Sequence, residues 1–248
     1  MKYWFAIILL TQLLCTTAIA QQQHKIDVKV QVQLNDQIRR YAYTPKLSEV
    51  LAPIALQRDW YWPASALYKA QDNTAELERK HVLAQLNVLT VDADNKLAQA
   101  INRLTYFIAS WPLASRVPVL LDYDAVRIRP ELNLGFDDGN YVLKLYTRPQ
   151  TVEFWGATEQ VISMPHSGVK AVADYLPALN LIANADTSYV LIIQPDGTVK
   201  HVGVASWNER HVELMPGSSV FIPYASTLFQ NLTALNEDIA RLARHRVK

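Results

Sequence analysis

Residues 194–223 read QPDGTVKHVGVASWNERHVELMPGSSVFIP, and this stretch carries most of the decision about the fold. Asp196-Gly197 is turn chemistry: it reverses the apolar run YVLIIQ (189–194) into TVKHVGVAS (198–206). Pro216-Gly217 is a second turn, launching the strand VFI. The period along 199–204 is two: Val199 and His201 share one face, Lys200, Val202 and Val204 the other. Between the turns, ASWNERH (205–211) leaves the strand pattern. It gathers Trp207, Asn208, Glu209, Arg210 and His211 into a loop suited to recognition or to packing. His201 and His211, with Glu209 and Glu213, lack the clustered spacing of metal ligands, so no metal and no cofactor are expected.

Working back toward the N-terminus, AVADYLPALNLI (171–182) has helical spacing, limited by Pro177. A few strands and one helix in residues 150–225 describe a small α+β sheet domain. Residues 21–149 form a larger module. IDVKVQVQL (26–34) alternates Ile26, Val28, Val30, Val32 and Leu34 with polar residues, Asn35-Asp36 breaks it, and QIRRYAY (37–43) returns as a strand. KLSEVLAPIAL (46–56) is helical in spacing. Residues 72–111 carry two capped helices. The second has the stripe Leu97, Ile101, Leu104, Ile108, Trp111, so the segment reads as an αα-hairpin inserted into a β domain. Strand patterning resumes over 116–149, including LLDYDAV (120–126), and Pro149 marks the boundary.

The two ends differ. Residues 1–20 have one positive charge, a short apolar core and Ala18-Ile19-Ala20 before Gln21, the layout of a secretory signal peptide cleaved after Ala20. Cys15, the single cysteine, lies inside that segment behind Leu14, not behind the small residue a lipidation site requires. The mature chain then has no disulfide and no thiolate chemistry. Its 50% apolar and 19% charged composition is that of a globular protein. Cleavage takes Lys2 from the 24 basic residues and leaves them balanced against 23 acidic ones, which excludes a broad nucleic-acid surface. Residues 226–248 form an amphipathic helix with the stripe Leu228, Leu232, Leu235, Ile239 and Leu242, facing its own chain or a partner. Arg241, Arg244 and Arg246 complement the helix dipole at its end. No transmembrane segment is expected in the mature chain.

For chemistry, HExxH, GxSxG, Walker A and GxGxxG patterns are absent, and seven glycines leave little for phosphate-cradling loops. Asp122 and Asp124, on one side of a strand, would be the carboxylate pair of a polysaccharide-modifying enzyme. Arg116, Arg127, Arg129 and Arg148 bracket the strands of the first module as candidates for binding a carboxylate, a phosphate or an acidic sugar. Trp60, Tyr61 and Trp62 read as core or as a sugar-stacking face. Trp155 and Trp207 are open in the same way. Trp207 and His211 complete the candidate ligand set.

LLDYDAVRIRPELN, GNYVLKLYTRPQTVEFWG, and above all the PDG…GVA.WN..H..L.PG…FIP block resemble the GfcC family of group 4 capsule and exopolysaccharide biosynthesis proteins, over the whole mature chain. The resemblance implies α+β architecture with two tandem β-grasp domains, similar to those of Wza-type polysaccharide exporters. It implies a periplasmic, non-catalytic accessory protein that binds polysaccharide or its outer-membrane export machinery. The chain departs from the exporters in lacking a lipobox cysteine and an N-terminal export domain. An exporter-like oligomer whose tail helix enters the outer membrane is the remaining alternative.

Overall fold

The computed structural model describes residues 27–91, 93–227 and 231–248. The signal-peptide segment, Cys15 and Leu228 lie outside that range. The architecture is mixed α and β, built on two five-stranded sheets.

Strands β1 (Val30–Leu34) and β2 (Gln37–Tyr41) form the first hairpin. Val30, Val32 and Leu34 are buried, as the alternation requires. The turn places Asn35 at φ 46°, a left-handed conformation asparagine tolerates. Its Oδ1 accepts from the Leu145 amide at 3.2 Å. Helix α1 (Leu47–Ala55) follows and buries Leu47, Val50, Leu51 and Ile54 against the sheet. Then come β3 (Ala66–Lys69), α2 (Thr74–Val91), α3 (Asn95–Ala109), β4 (Ser115–Arg116), α4 (Tyr123–Ile128) and β5 (Gly139–Lys144). The strand order is β2-β1-β5-β3-β4, with β5 parallel to β1. Asp94 caps α3, accepting from the amides of Lys96 and Leu97.

The second sheet comprises β6 (Thr151–Gly156), β7 (Ile162–Pro165), β8 (Tyr189–Ile193), β9 (Val199–Gly203) and β10 (Ser219–Ile222). Its order, β7-β6-β10-β8-β9 with β10 parallel to β6, repeats the first sheet strand for strand. Helix α5 (Thr233–Ala243) ends the regular structure.

Three local expectations change. LLDYDAV is not a strand: Asp122 caps α4, accepting from the Ala125 amide at 3.0 Å, and only Val126 of the helix is buried. A carboxylate that captures a free amide outweighs a weak strand alternation. Residues 171–182 make only a 3₁₀ segment, Val172–Ala178, with Pro177 inside it. The tail helix begins at Thr233, while Ser226 Oγ accepts from the Leu232 amide ahead of it at 2.9 Å.

The αα-hairpin formed by α2 and α3 interrupts the first sheet in sequence but covers the second in space. Val82, Leu86, Ile101, Leu104, Ile108 and Trp111 share one buried cluster with Phe154, Trp155, Ile192 and Phe221. Trp111 meets Trp155 edge-on at 5.2 Å, and Trp155 meets Phe221 at 4.8 Å. The first sheet has a separate core around α1.

The tail stripe belongs to that second cluster. Leu235, Ile239 and Leu242 are buried in it, and Leu232 packs against it half-buried. These residues are therefore not a free surface for a partner, because α2 and β8 already occupy the face. Exposing the three buried side chains would cost roughly 5–9 kcal/mol. Among the described residues no helix is long and apolar enough to cross a membrane.

Candidate functional site

A cavity of about 440 Å³ opens where the two sheets and the end of the chain meet. β3 supplies Tyr68 and β4 supplies Arg116. Tyr146 follows β5, and β6 supplies Glu153. Gln194 and Pro195 follow β8, Gly217 and Ser218 precede β10, Ser219 opens it, and Arg244, Arg246 and Lys248 follow α5. Among the described residues the lining thus has four cationic side chains against one carboxylate side chain, Glu153.

The residues after α5 reach the cavity because they return along the start of β4. Ala114 N donates to His245 O at 3.1 Å, Val247 N donates to Pro112 O at 2.9 Å, and Leu113 bridges Arg246. Tyr68 Oη donates to Arg246 O at 3.0 Å, and burial pushes its phenol up to about 12. Tyr146 Oη is hydrogen-bonded to Lys248 O. Within this strap His245 is buried, 3% exposed, and its Nδ1 accepts from Arg116 N at 2.9 Å. Its Nε2 lies 3.2 Å from Arg244 Nε and 3.6 Å from Glu78 Oε2. Burial holds the imidazole below its ordinary pKa. Arg244 and Arg116 act in the same direction, and Glu78 opposes them.

Arg116 pairs with no carboxylate at Asp122, Asp124 or Glu131. Its guanidinium donates to Pro195 O at 2.7 Å and Ser65 O at 3.3 Å, joining the sheets through carbonyls. Burial lowers its pKa. The Gly197 turn lies against it, at φ +90°, and a Cβ there would sit 2.7 Å from Arg116 Nε. Arg246 is paired with Glu153 at 2.6 Å and stacks over Phe107 and Trp111 at 5.1 and 4.9 Å. Burial works to raise the Glu153 carboxyl, but Arg246, Lys248 and Ser219 together outweigh it, so its pKa lies below the ordinary value. Lys248 Nζ donates to Gly217 O at 3.0 Å, and burial depresses its pKa. Arg244 has no carboxylate partner among the described residues.

A second lobe of about 340 Å³ shares Arg116 and Arg244. Trp62, Pro63, Pro118 and Leu120 give it an apolar side, and Asp196 also lines it. Guanidinium forks beside apolar faces suit a planar anion carried on a sugar ring. Among the described residues Glu153 is the only carboxylate side chain lining the larger lobe.

Of the candidate ligand residues anticipated from sequence only Arg116 reaches this site, and Trp62, read as core or as a sugar-stacking face, lines its second lobe. Arg127 is exposed, 3.7 Å from Asp124 and over the Tyr123 ring, and Arg129 is exposed at the C-cap of α4. Arg148 is exposed over the Tyr61 ring at 5.4 Å. Asp122 and Asp124 are a helix cap and a surface carboxylate, not a facing pair. Trp155 is core, whereas Trp207 is 77% exposed. His211 is exposed, 3.7 Å from Glu213, and His201 stacks on Tyr189. Among the described residues no group of three or more histidines, cysteines and acids is placed to hold a metal. Sequence reasoning missed Arg244, Arg246 and Lys248 as site residues. The available signal was the density of cations in RLARHRVK (241–248).

Comparison with known proteins follows the same division of the chain. Residues 7–150 match the N-terminal family model of capsule biosynthesis GfcC, and residues 160–248 match the C-terminal one. An uncharacterized protein of Escherichia coli (strain K12), YjbG, is 31% identical over 203 residues, covering 81% of this chain and 82% of its own. With both halves matched, the chain belongs to the GfcC family of capsule biosynthesis proteins.

Proposed function

We propose that this protein is a non-catalytic periplasmic accessory in capsule assembly, and that it grips an acidic group of the polysaccharide in the cavity between its sheets. One observation carries the reading: among the described residues, four cationic side chains line the larger lobe against one carboxylate side chain, Glu153, which is itself neutralised by Arg246. Arg244, without a carboxylate partner among the described residues, would meet the anion, and the apolar side of the second lobe would take the sugar ring. Uronate carboxylates fit this chemistry, as does a phosphate in the repeat unit. The signal-peptide layout supports the periplasm. The burial of the tail stripe favours a folded accessory over a pore-forming subunit.

The test is made in cells. Deleting the gene should reduce surface capsule, wild type should restore it, and Arg244→Gln at equal protein level should not. Normal capsule in the deletion strain would remove the reading.

A further inference from the structure

The loop after β9 is constructed to hold one indole out in solvent. Gly203 admits the loop: a Cβ there would lie 2.4 Å from Asn208 O. Asn208 closes it. Its Oδ1 accepts from Ala205 N at 3.0 Å, its Nδ2 donates to Ser188 O at 3.0 Å, and its own N donates to Ala205 O at 2.9 Å. Arg210 N donates to Gly203 O at 3.1 Å, and beyond it Val172 N donates to Val212 O at 2.9 Å. Both ends are therefore fixed, and Trp207 stands at the crest, 77% exposed. The protein buries or half-buries Trp60, Trp62, Trp111 and Trp155. Among the described residues Trp207 makes no hydrogen bond or ring contact that would explain its position.

The surroundings of Trp207 decide what it would hold. Ser206, Glu209, Arg210 and His211 are all exposed and all polar. A protein-docking hot spot needs neighbours that exclude water from the aromatic, and a membrane contact needs several apolar side chains together. A lone indole among hydrogen-bonding side chains is the chemistry that holds a sugar ring: the ring's C–H face lies on the indole, and its hydroxyls meet the polar rim. Asn208 cannot serve that rim, since both ends of its amide are committed to the loop.

We propose that Trp207 is a stacking platform for a sugar ring of the capsule polymer, positioned by Asn208 and Gly203 and separate from the cationic cavity. It rests on the reading of this protein as a saccharide handler, and not on the cavity being the site of the acidic group.

The experiment uses the full mature chain, oligosaccharide fragments of the source bacterium's own capsule, and glucuronate as a small acidic probe. Fragments should protect Trp207 fluorescence from acrylamide, the Trp207 signal being identified by difference from Trp207→Phe. Trp207→Ala should weaken fragment binding about tenfold and leave glucuronate binding unchanged. Trp207→Phe should keep most of the affinity, and Asn208→Ala should weaken it with the indole still exposed. Equal fragment affinity in wild type and Trp207→Ala would overturn the proposal, as would an indole still fully quenchable in the saturated complex. A photo-crosslinker at position 207 that captures protein and no polysaccharide in cells would also overturn it. If glucuronate fails to bind while fragments protect Trp207, the cavity reading falls and this one stands.

Discussion

The two sheets repeat one strand order and are covered by different means. In the first, the connection from β2 to β3 makes a local helix, α1, that fills the sheet's core with Leu47, Val50, Leu51 and Ile54. In the second, the corresponding connection makes only a 3₁₀ segment that buries Val172 and Tyr175. The deficit is met from outside, by the α2–α3 hairpin borrowed from the first module and by α5 from the chain's end. One sheet is thus self-contained, whereas the other depends on distant sequence. That dependence fixes the sheets against each other and holds the strap of residues 245–248 across the seam where the cavity lies.

The most damaging test of this asymmetry is a cavity in the borrowed cover. Ile108 is fully buried, and Ile108→Ala should destabilise by about 2–5 kcal/mol. Hydrogen exchange should show the loss in β8 and β10, although the substitution lies between two strands of the first sheet. Leu51→Ala should instead loosen β1 and β5. Reversal of these patterns would break the comparison.

Next comes the seam. Gly197→Ala places a Cβ against Arg116 at a positive φ, and should cost about 1–3 kcal/mol in a thermal melt. It should also weaken anion binding, because Arg116 must shift.

The strap carries a pH dependence. The pKa of His245 is lowered in the folded state, so the unfolded chain takes up the proton first. Its contribution to stability is complete above the ordinary histidine value of 6.5 and is lost as pH falls from there through the lowered one. Glu153, also lowered, adds a second loss below its ordinary 4.5. The melting temperature should therefore fall on acidification from neutral, and His245→Gln should flatten the first part of that slope.

The smallest effect belongs to α4. Asp122→Ala removes a helix cap and should cost about 1 kcal/mol, measured by chemical denaturation. Capsule display should be unchanged. Loss of capsule with a stably folded variant would revive the carboxylate-pair enzyme.

Much of the fold was legible because local periodicity reports local burial. Val30, Val32 and Leu34 announced a half-buried strand, and Asp196-Gly197 announced a hairpin. The stripe Ile101, Leu104, Ile108 announced a packed helix face. A stripe does not say what it packs on, so the crossing of the hairpin to the second sheet was invisible. The same limit hid the site. Arg244 and Arg246 read as complements to a helix dipole, since nothing local shows that the residues beyond α5 fold back along residues 112–116. Asp122 misled because one carboxylate two residues from another looks like a pair on a strand and is a cap on a helix.

Whether the seam binds an acidic saccharide group, as proposed, is read out by calorimetric titration of the mature protein with capsule oligosaccharides and with the same oligosaccharides after carboxyl reduction. The acidic form should bind, weakened about tenfold or more by Arg244→Gln and by added salt, and the reduced form should bind little. Equal affinity for both forms, or an Arg244→Gln variant that binds as wild type does, would contradict the proposal.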